Sequence, residues 1–186
     1  IAALAATVTG QPCKVRLDRD DDMRMTGKRH DFAFDYSVGF NDDGRITGLE
    51  TDLHARCGNS IDQSIEVLAR AAFHIDNCYY LEHLRATCHH WKTNTGSAVA
   101  FRGFGTPQGF LLIESIIDRI ARHLGRDPLA VRKTNFYGGD GRDTTPFNAL
   151  IPHATLHRLV EEIELSSGFA LRRQAIDAFN ATSPIL

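Results

Sequence analysis

Phe32-Ala33-Phe34-Asp35-Tyr36-Ser37-Val38-Gly39-Phe40 alternates large apolar residues with small or polar ones without a break. Successive side chains of a strand point to opposite faces, so the five apolar residues share one face of a half-buried strand. Asn41-Asp42-Asp43-Gly44 follows as a turn by composition, with Gly44 free to take positive φ. Ile46 to Leu53 then returns as the second strand of a hairpin. Leu81 to Lys92 reads as a further extended segment, where Thr87 and Trp91 favour strand. Lys14-Val15-Arg16-Leu17 is a short strand candidate upstream. The first half of the chain thus predicts an antiparallel sheet with one wet face.

From Pro107 onward the period becomes helical. Ile113, Ile116, Ile117, Ile120 and Leu124 form one apolar stripe, which Gly125 ends. Asp127-Pro128 supplies an N-cap and first-turn pair for a short helix to about Thr134. Tyr137 to Ile151 reads as a surface loop rich in glycine, aspartate and threonine. A third helix carries Leu156, Leu159, Val160 and Ile163 and stops at Gly168; a fourth runs from about Ala170 to Ala181, before Ser183-Pro184. Gly58-Asn59-Ser60 is a break, Gln63 to His74 is apolar without a clear period, and Asp76-Asn77 is a turn. Sheet first and helices afterwards define an α+β fold. Ile1 to Val8 reads as the tail of a helix ended by Gly10, and a chain that opens inside a helix without methionine or cap reads as an excerpt. Residues 1–186 are therefore expected to form a single partial domain.

Several classes of function are excluded by composition. A formal charge of −2 over 186 residues provides no basic field for nucleic acid or an anionic membrane. No run of about 20 apolar residues is present to span a bilayer. Cys13, Cys57, Cys78 and Cys88 are widely spaced, as expected of reduced, partly buried thiols in a cytoplasmic protein. Cys88-His89-His90 lies on a predicted strand, where neighbours face opposite ways and do not converge on one ion, so no metal ligands are assigned. The acidic and basic residues from Asp18 to Arg24 read as a solvated ion-pair surface.

Ala100-Phe101-Arg102-Gly103-Phe104-Gly105-Thr106-Pro107-Gln108-Gly109 is the stretch with chemistry in it. Its glycines let backbone approach backbone or ligand where a Cβ would clash. Pro107 suits the first helical turn, and free N–H groups at that helix start would make an anion site. Arg102 is a fixed planar cation. Phe104, between two glycines, is expected to face a cavity. Alone, the loop is equally well read as a tight structural turn with Phe104 in the core.

Six segments in register, however, resemble the molybdenum-cofactor subunit of the xanthine dehydrogenase and xanthine oxidase family. They are Leu17-Asp18-Arg19-Asp20, Thr26-Gly27-Lys28-Arg29-His30, Tyr36-Ser37-Val38-Gly39-Phe40, Arg70-Ala71-Ala72-Phe73-His74-Ile75-Asp76-Asn77-Cys78-Tyr79, Lys92-Thr93-Asn94 and the Phe101 to Gln108 loop. Order and spacing hold from Ile1 to Tyr137 and weaken beyond. The resemblance implies oxidative hydroxylation of a purine carbon at a molybdenum–pyranopterin centre, with water as oxygen source and electrons leaving through 2Fe-2S clusters to FAD on partner regions. It implies that Phe101 and Arg102 lie along the pterin, that Phe104 packs on the purine ring, and that Arg70 binds a purine oxygen as a substrate-binding and catalytic group. Arginine at that place separates purine from aldehyde oxidation within the superfamily. Thr106 stands where a second glycine is common, and Ala98-Val99 replaces a frequent Asn-Thr pair.

The family's base glutamate would lie C-terminal to this region, and Glu66, Glu82 and Glu114 do not stand in for it. The expected partners are a purine, the rest of the molybdenum subunit and an iron–sulfur/FAD subunit or domain, in an oligomeric parent. Taken alone, the chain is expected to hold no stoichiometric molybdenum and to be inactive. The rival readings are an aldehyde- or other N-heterocycle-oxidising relative, and a non-catalytic interaction module on the same scaffold. The choice of NAD or oxygen as acceptor is made elsewhere.

Overall fold

The computed structural model describes residues 1–138, 141–151 and 155–183. Gly139 and Asp140 of the expected surface loop, and the Pro184 stop signal, lie outside the described residues. The sheet has three strands in the order β1-β2-β3: β1 (Phe32–Phe40), β2 (Ile46–Gly58) and β3 (Leu84–Lys92). β1 and β2 form the expected antiparallel hairpin, with Phe34 opposite Leu53 and Tyr36 opposite Thr51; Gly44 turns the chain at φ 86°.

β3 is not antiparallel. It runs parallel to β2, Leu53 opposite Cys88, because a helix, α3 (Ser64–Ala72), carries the chain back between them. The sheet is therefore mixed, and the α+β class stands. Gln63 to His74, aperiodic by eye, forms this helix by burying Ser64, Val67, Leu68 and Ala71 at helical spacing. Lys14–Leu17 forms no strand; the next residues instead wind into α2 (Arg19–Met25), capped where the Asp18 carboxylate accepts from the Asp21 N–H at 2.8 Å. An upstream helix, α1 (Ala2–Thr9), ends at left-handed Gly10 as expected.

One face of the sheet carries the core. Phe32, Phe34, Tyr36, Val38 and Phe40 lie on it beside Leu49, Leu53 and Ala55, and α4 (Thr106–Leu124) packs across through fully buried Ile113, Ile116 and Ile117. α5 (Pro128–Asn135) follows, its N-terminus capped by Asp127, which accepts from Leu129 and Ala130 N–H. Tyr137, placed in a surface loop by composition, is buried, its hydroxyl donating to Asp76 at 2.7 Å. α6 (Leu156–Ser166) and α7 (Phe169–Thr182) complete the chain with no fully buried residue.

The opposite face of the sheet carries polar groups. His54 stacks on His89 with centroids 4.6 Å apart, and the two meet Asp35 and Asp52. Cys88 points the other way, toward α3, as strand alternation requires. Burial raises the Cys78 and Cys88 thiols above their ordinary range, so both stay protonated.

Candidate functional site

Four of the segments that carry the resemblance, the 26–30 stretch, the start of the 70–79 stretch, the 92–94 stretch and the 101–108 loop, meet at one end of the molecule, whereas Tyr36–Phe40 lies toward the other end of the hairpin, Tyr36 opposite Thr51 and Phe40 opposite Ile46. Where the four segments meet, the C-terminal ends of β2 and β3, the start of α4 and the helix α3 come together. Each junction is a close backbone approach. A Cβ on Gly27 would lie 2.7 Å from the Ser97 carbonyl oxygen, and one on Gly58 would lie 2.4 Å from the Gly96 carbonyl oxygen. The Thr93 to Val99 segment is thereby pressed against the end of β2. Hydrogen bonds from Thr93 N to Gly58 O, Ala98 N to Cys57 O and Val99 N to Lys28 O fix it there.

The glycine turn that follows is unusual in its backbone. Gly103, Phe104 and Gly105 have φ of 93°, 49° and 100° in succession. Positive φ is routine for glycine but strained for phenylalanine, at about 1–3 kcal/mol. The strain is held by two turns, in which Phe104 N–H donates to Phe101 O and Thr106 N–H to Gly103 O. They leave Phe104 only partly buried and Phe101 56 % exposed.

The expected anion site of free N–H groups is closed. Thr106 donates to Gly103 O, Gln108 and Gly109 both donate to Gly105 O, and Pro107 has no N–H to offer. The positive charge at this end comes from side chains instead. Arg102 is exposed, with no side-chain partner among the described residues. Arg70 lies exposed on the last turn of α3, its Nε donating to Thr106 Oγ1 at 3.3 Å. Both cations therefore lie at the turn, and neither is neutralised by a carboxylate among the described residues.

Two further residues belong to the site and were not singled out from sequence. Arg29 reaches across the chain: its Nη2 donates to the Arg102 carbonyl at 2.6 Å, and its guanidinium lies 4.4 Å above the Phe101 ring. Gln108 anchors the turn from below, donating from Nε2 to the His30 carbonyl at 3.1 Å. Arg29 Nη1 and Gln108 Oε1 are both buried without a hydrogen-bond partner. A buried donor and a buried acceptor left open beside the same turn suit a ligand that carries both kinds of polar group. The only sequence signal was their membership of the quoted segments, since 73 residues separate Arg29 from Arg102.

Glu114 is occupied elsewhere. It accepts from the Tyr79 hydroxyl at 2.5 Å, Asn77 Nδ2 at 3.2 Å and Arg132 Nε at 2.9 Å, bracing α4 against α5. Glu66 and Glu82 are exposed. None of the three carboxylates belongs to the glycine turn.

An α+β fold that presents a strained aromatic turn beside two arginines without carboxylate partners among the described residues, with open hydrogen-bonding groups beneath, has the make-up of a ligand-binding domain. It belongs to the molybdopterin cofactor-binding domain family, whose model matches residues 1–136. Xanthine dehydrogenase 1 of Arabidopsis thaliana is 40% identical over 180 residues, 97% of this chain and 13% of that protein. The xanthine dehydrogenase/oxidase of Felis catus is 42% identical over 177 residues, 95% of this chain and again 13% of the relative. The chain thus spans 13% of the length of these curated relatives. Among solved structures, the aldehyde oxidoreductase from Desulfovibrio desulfuricans superposes with a TM-score of 0.79 at 28% identity, over 91% of this chain and 18% of that one. A CO dehydrogenase from Oligotropha carboxidovorans shares the fold, with a TM-score of 0.81 at 20% identity over 97% of this chain and 23% of its own.

Proposed function

We propose that this chain forms the cofactor- and substrate-facing part of a molybdenum hydroxylase acting on xanthine or hypoxanthine. The observation that carries the reading is the bond from Arg70 Nε to Thr106 at the start of α4, two residues after Phe104, which brings a cation and an aromatic residue to one helix start. The xanthine dehydrogenases among the relatives support it. When bound, the molybdenum–pyranopterin supplies the oxidising centre at which an oxygen from water enters a carbon–hydrogen bond.

The residues present fit that group. Phe101 offers an exposed ring, Arg102 an unpaired cation, and Arg29 and Gln108 an open donor and acceptor for a polar heterocycle. The turn holds Phe104 against the purine ring, an offset or edge contact worth about 1 kcal/mol beyond burial. Arg70 then meets a purine oxygen. Nucleophilic attack drives negative charge into the ring, and a guanidinium fixed at its edge binds the transition state more tightly than the ground state. In this reading 2Fe-2S and FAD groups reside on other parts of a cytoplasmic, oligomeric enzyme, and residues 1–186 form one partial domain of its molybdenum subunit.

The structural likeness to an aldehyde oxidoreductase favours a second reading, in which an aldehyde is the substrate. The test is kcat/KM for xanthine against an aromatic aldehyde in the full-length enzyme, wild type beside Arg70→Met. The purine reading expects xanthine to be preferred, and Arg70→Met to cut xanthine turnover about 100-fold while sparing the aldehyde, as for loss of one transition-state donor. Preference for aldehyde from the outset, or an inert substitution, overturns it.

A further inference from the structure

We propose that Thr106 is a positioning residue: its hydroxyl sets the plane of the Arg70 guanidinium and so tunes selectivity for substrates with a ring oxygen. This rests on the reading of Arg70 as the group that meets that oxygen.

A surface arginine ordinarily sweeps a wide volume, because its stem carries several free torsions. Arg70 is exposed, and its one side-chain partner among the described residues is Thr106 Oγ1. The hydroxyl is free for this purpose. α4 starts at Gly105 with no side-chain cap, so Thr106 does not close its own helix. Its β-branched side chain has few χ1 choices, which fixes the oxygen once the backbone is fixed.

The backbone is fixed by contact. A Cβ on Gly105 would lie 2.1 Å from Val67 O, and one on Gly109 would lie 2.5 Å from Ala71 O. The two helices therefore touch main chain to main chain on either side of the Arg70–Thr106 pair. Neither partner shifts without separating α3 from α4. The bond also uses Nε, the donor nearest the stem. A guanidinium is planar, so one bond at Nε orients the whole fork and leaves its outer Nη1/Nη2 edge facing outward. The outer edge is the pair of parallel donors that a carbonyl or enolate oxygen takes. Glycine at this position would leave the fork untethered.

The test has two parts. In the 186-residue chain labelled with 15N-arginine, Arg70 Nε–H exchange with solvent is followed by NMR for wild type, Thr106→Val and Thr106→Ser. Slow exchange in wild type and Ser, and several-fold faster exchange in Val, is the expected pattern; equal rates in all three overturn the tether. In the full-length enzyme the same variants are assayed with xanthine and an aromatic aldehyde. The expected result is a fall of about tenfold in the xanthine-to-aldehyde ratio of kcat/KM for Val, the size of one hydrogen bond from a charged donor, with recovery in Ser. A loss shared by both substrates, or one that Ser fails to rescue, makes Thr106 a packing residue and overturns the proposal. An unchanged ratio in Val with a collapsed ratio in Arg70→Met removes Thr106 and leaves Arg70 standing. An inert Arg70→Met sinks both readings together.

Discussion

Phe104 sits at φ 49° between glycines at 93° and 100°, a run of left-handed angles that an ordinary turn does not need. The residue type and its two glycines were visible in the sequence; the strain was not, because it arises from turns closed through Phe101 and Gly103 carbonyls. Arg29 and Gln108 escaped notice for a similar reason, since their contacts span 73 and 78 residues. His30, next to Arg29, carries a consequence that can be measured. It is 2 % exposed, with Nε2 2.7 Å from Ser64 Oγ, and burial holds its pKa below the ordinary value of 6.5. The unfolded chain therefore takes up this proton first. The stabilisation from neutral His30 is fully present above pH 6.5 and drains away as pH falls through the lowered folded value. Asp76 has the opposite sign: burial raises it above 3.8, so its contribution is present below that pH and is lost as pH rises through the raised value. In His30→Gln, whose amide can still bond Ser64, the drop in Tm between pH 7 and pH 5 is expected to be smaller than in wild type. An equal drop would clear His30 of any part in acid destabilisation.

Among the elements, those with a large aliphatic face or a clear end signal were legible, as α4 and the Gly10-ended α1 were, and α3, which has neither, was not. α4 announces itself through four isoleucines at helical spacing, whereas α3 buries Ser64 and Ala71 beside only two larger residues. Periodicity arguments weigh side chains by hydrophobicity, and a helix packed through small residues carries little of it. The direction of β3 was not legible either: alternation specifies a strand and its wet face, while parallel pairing follows from the helix that intervenes. Small residues on α3 have a purpose, because they admit the glycines of α4. Gly105→Ala would place a methyl 2.1 Å from Val67 O and 2.9 Å from Ala71 N, at a φ of 100°. Backbone atoms do not yield as side-chain tips do, so a loss of about 3 kcal/mol or more is expected. Gly125→Ala, at the cap of the core helix α4, is the control. It has a left-handed φ of 62° but nothing within 4 Å, so it should lose only about 1 kcal/mol. Urea midpoints of the two variants decide the matter: similar losses would mean that backbone strain alone, rather than the contact between α3 and α4, governs position 105.

Over the whole molecule, the site was readable as one glycine-rich loop and a set of scattered segments resembling one family, and the fold supplies the physical reason for four of those segments. Gly27, Arg29, His30, Gly58, Arg70 and the 101–108 turn meet at a single end of the sheet, and their spacing along the chain is the price of that convergence. Stability should be graded outward from there. The buried cluster spans the sheet, α3, α4 and α5, with Leu53, Ile75, Ile113, Ile116 and Val131 fully buried. α6 and α7 lean on it through partly buried Leu156 and Val160, the Lys133–Glu164 pair and the Arg173–Asp127 pair at 3.0 Å. Exposed ion pairs contribute roughly 0–1 kcal/mol each, and Leu165, Leu171 and Phe179 remain more than two-thirds exposed. α1 has no buried residue, and eight residues are too few for a stable isolated helix. Hydrogen exchange of the 186-residue chain should therefore order the amides in three tiers. α1 exchanges first, α6 and α7 open together at an intermediate free energy, and β2 and α4 exchange only with global unfolding. A truncation after Gly168 should then leave the exchange of β2 and α4 nearly unchanged. If α7 amides instead exchange in step with those of α4, the two peripheral helices are part of the cooperative core, and their exposed apolar faces contribute far more to the folded state than their contacts suggest.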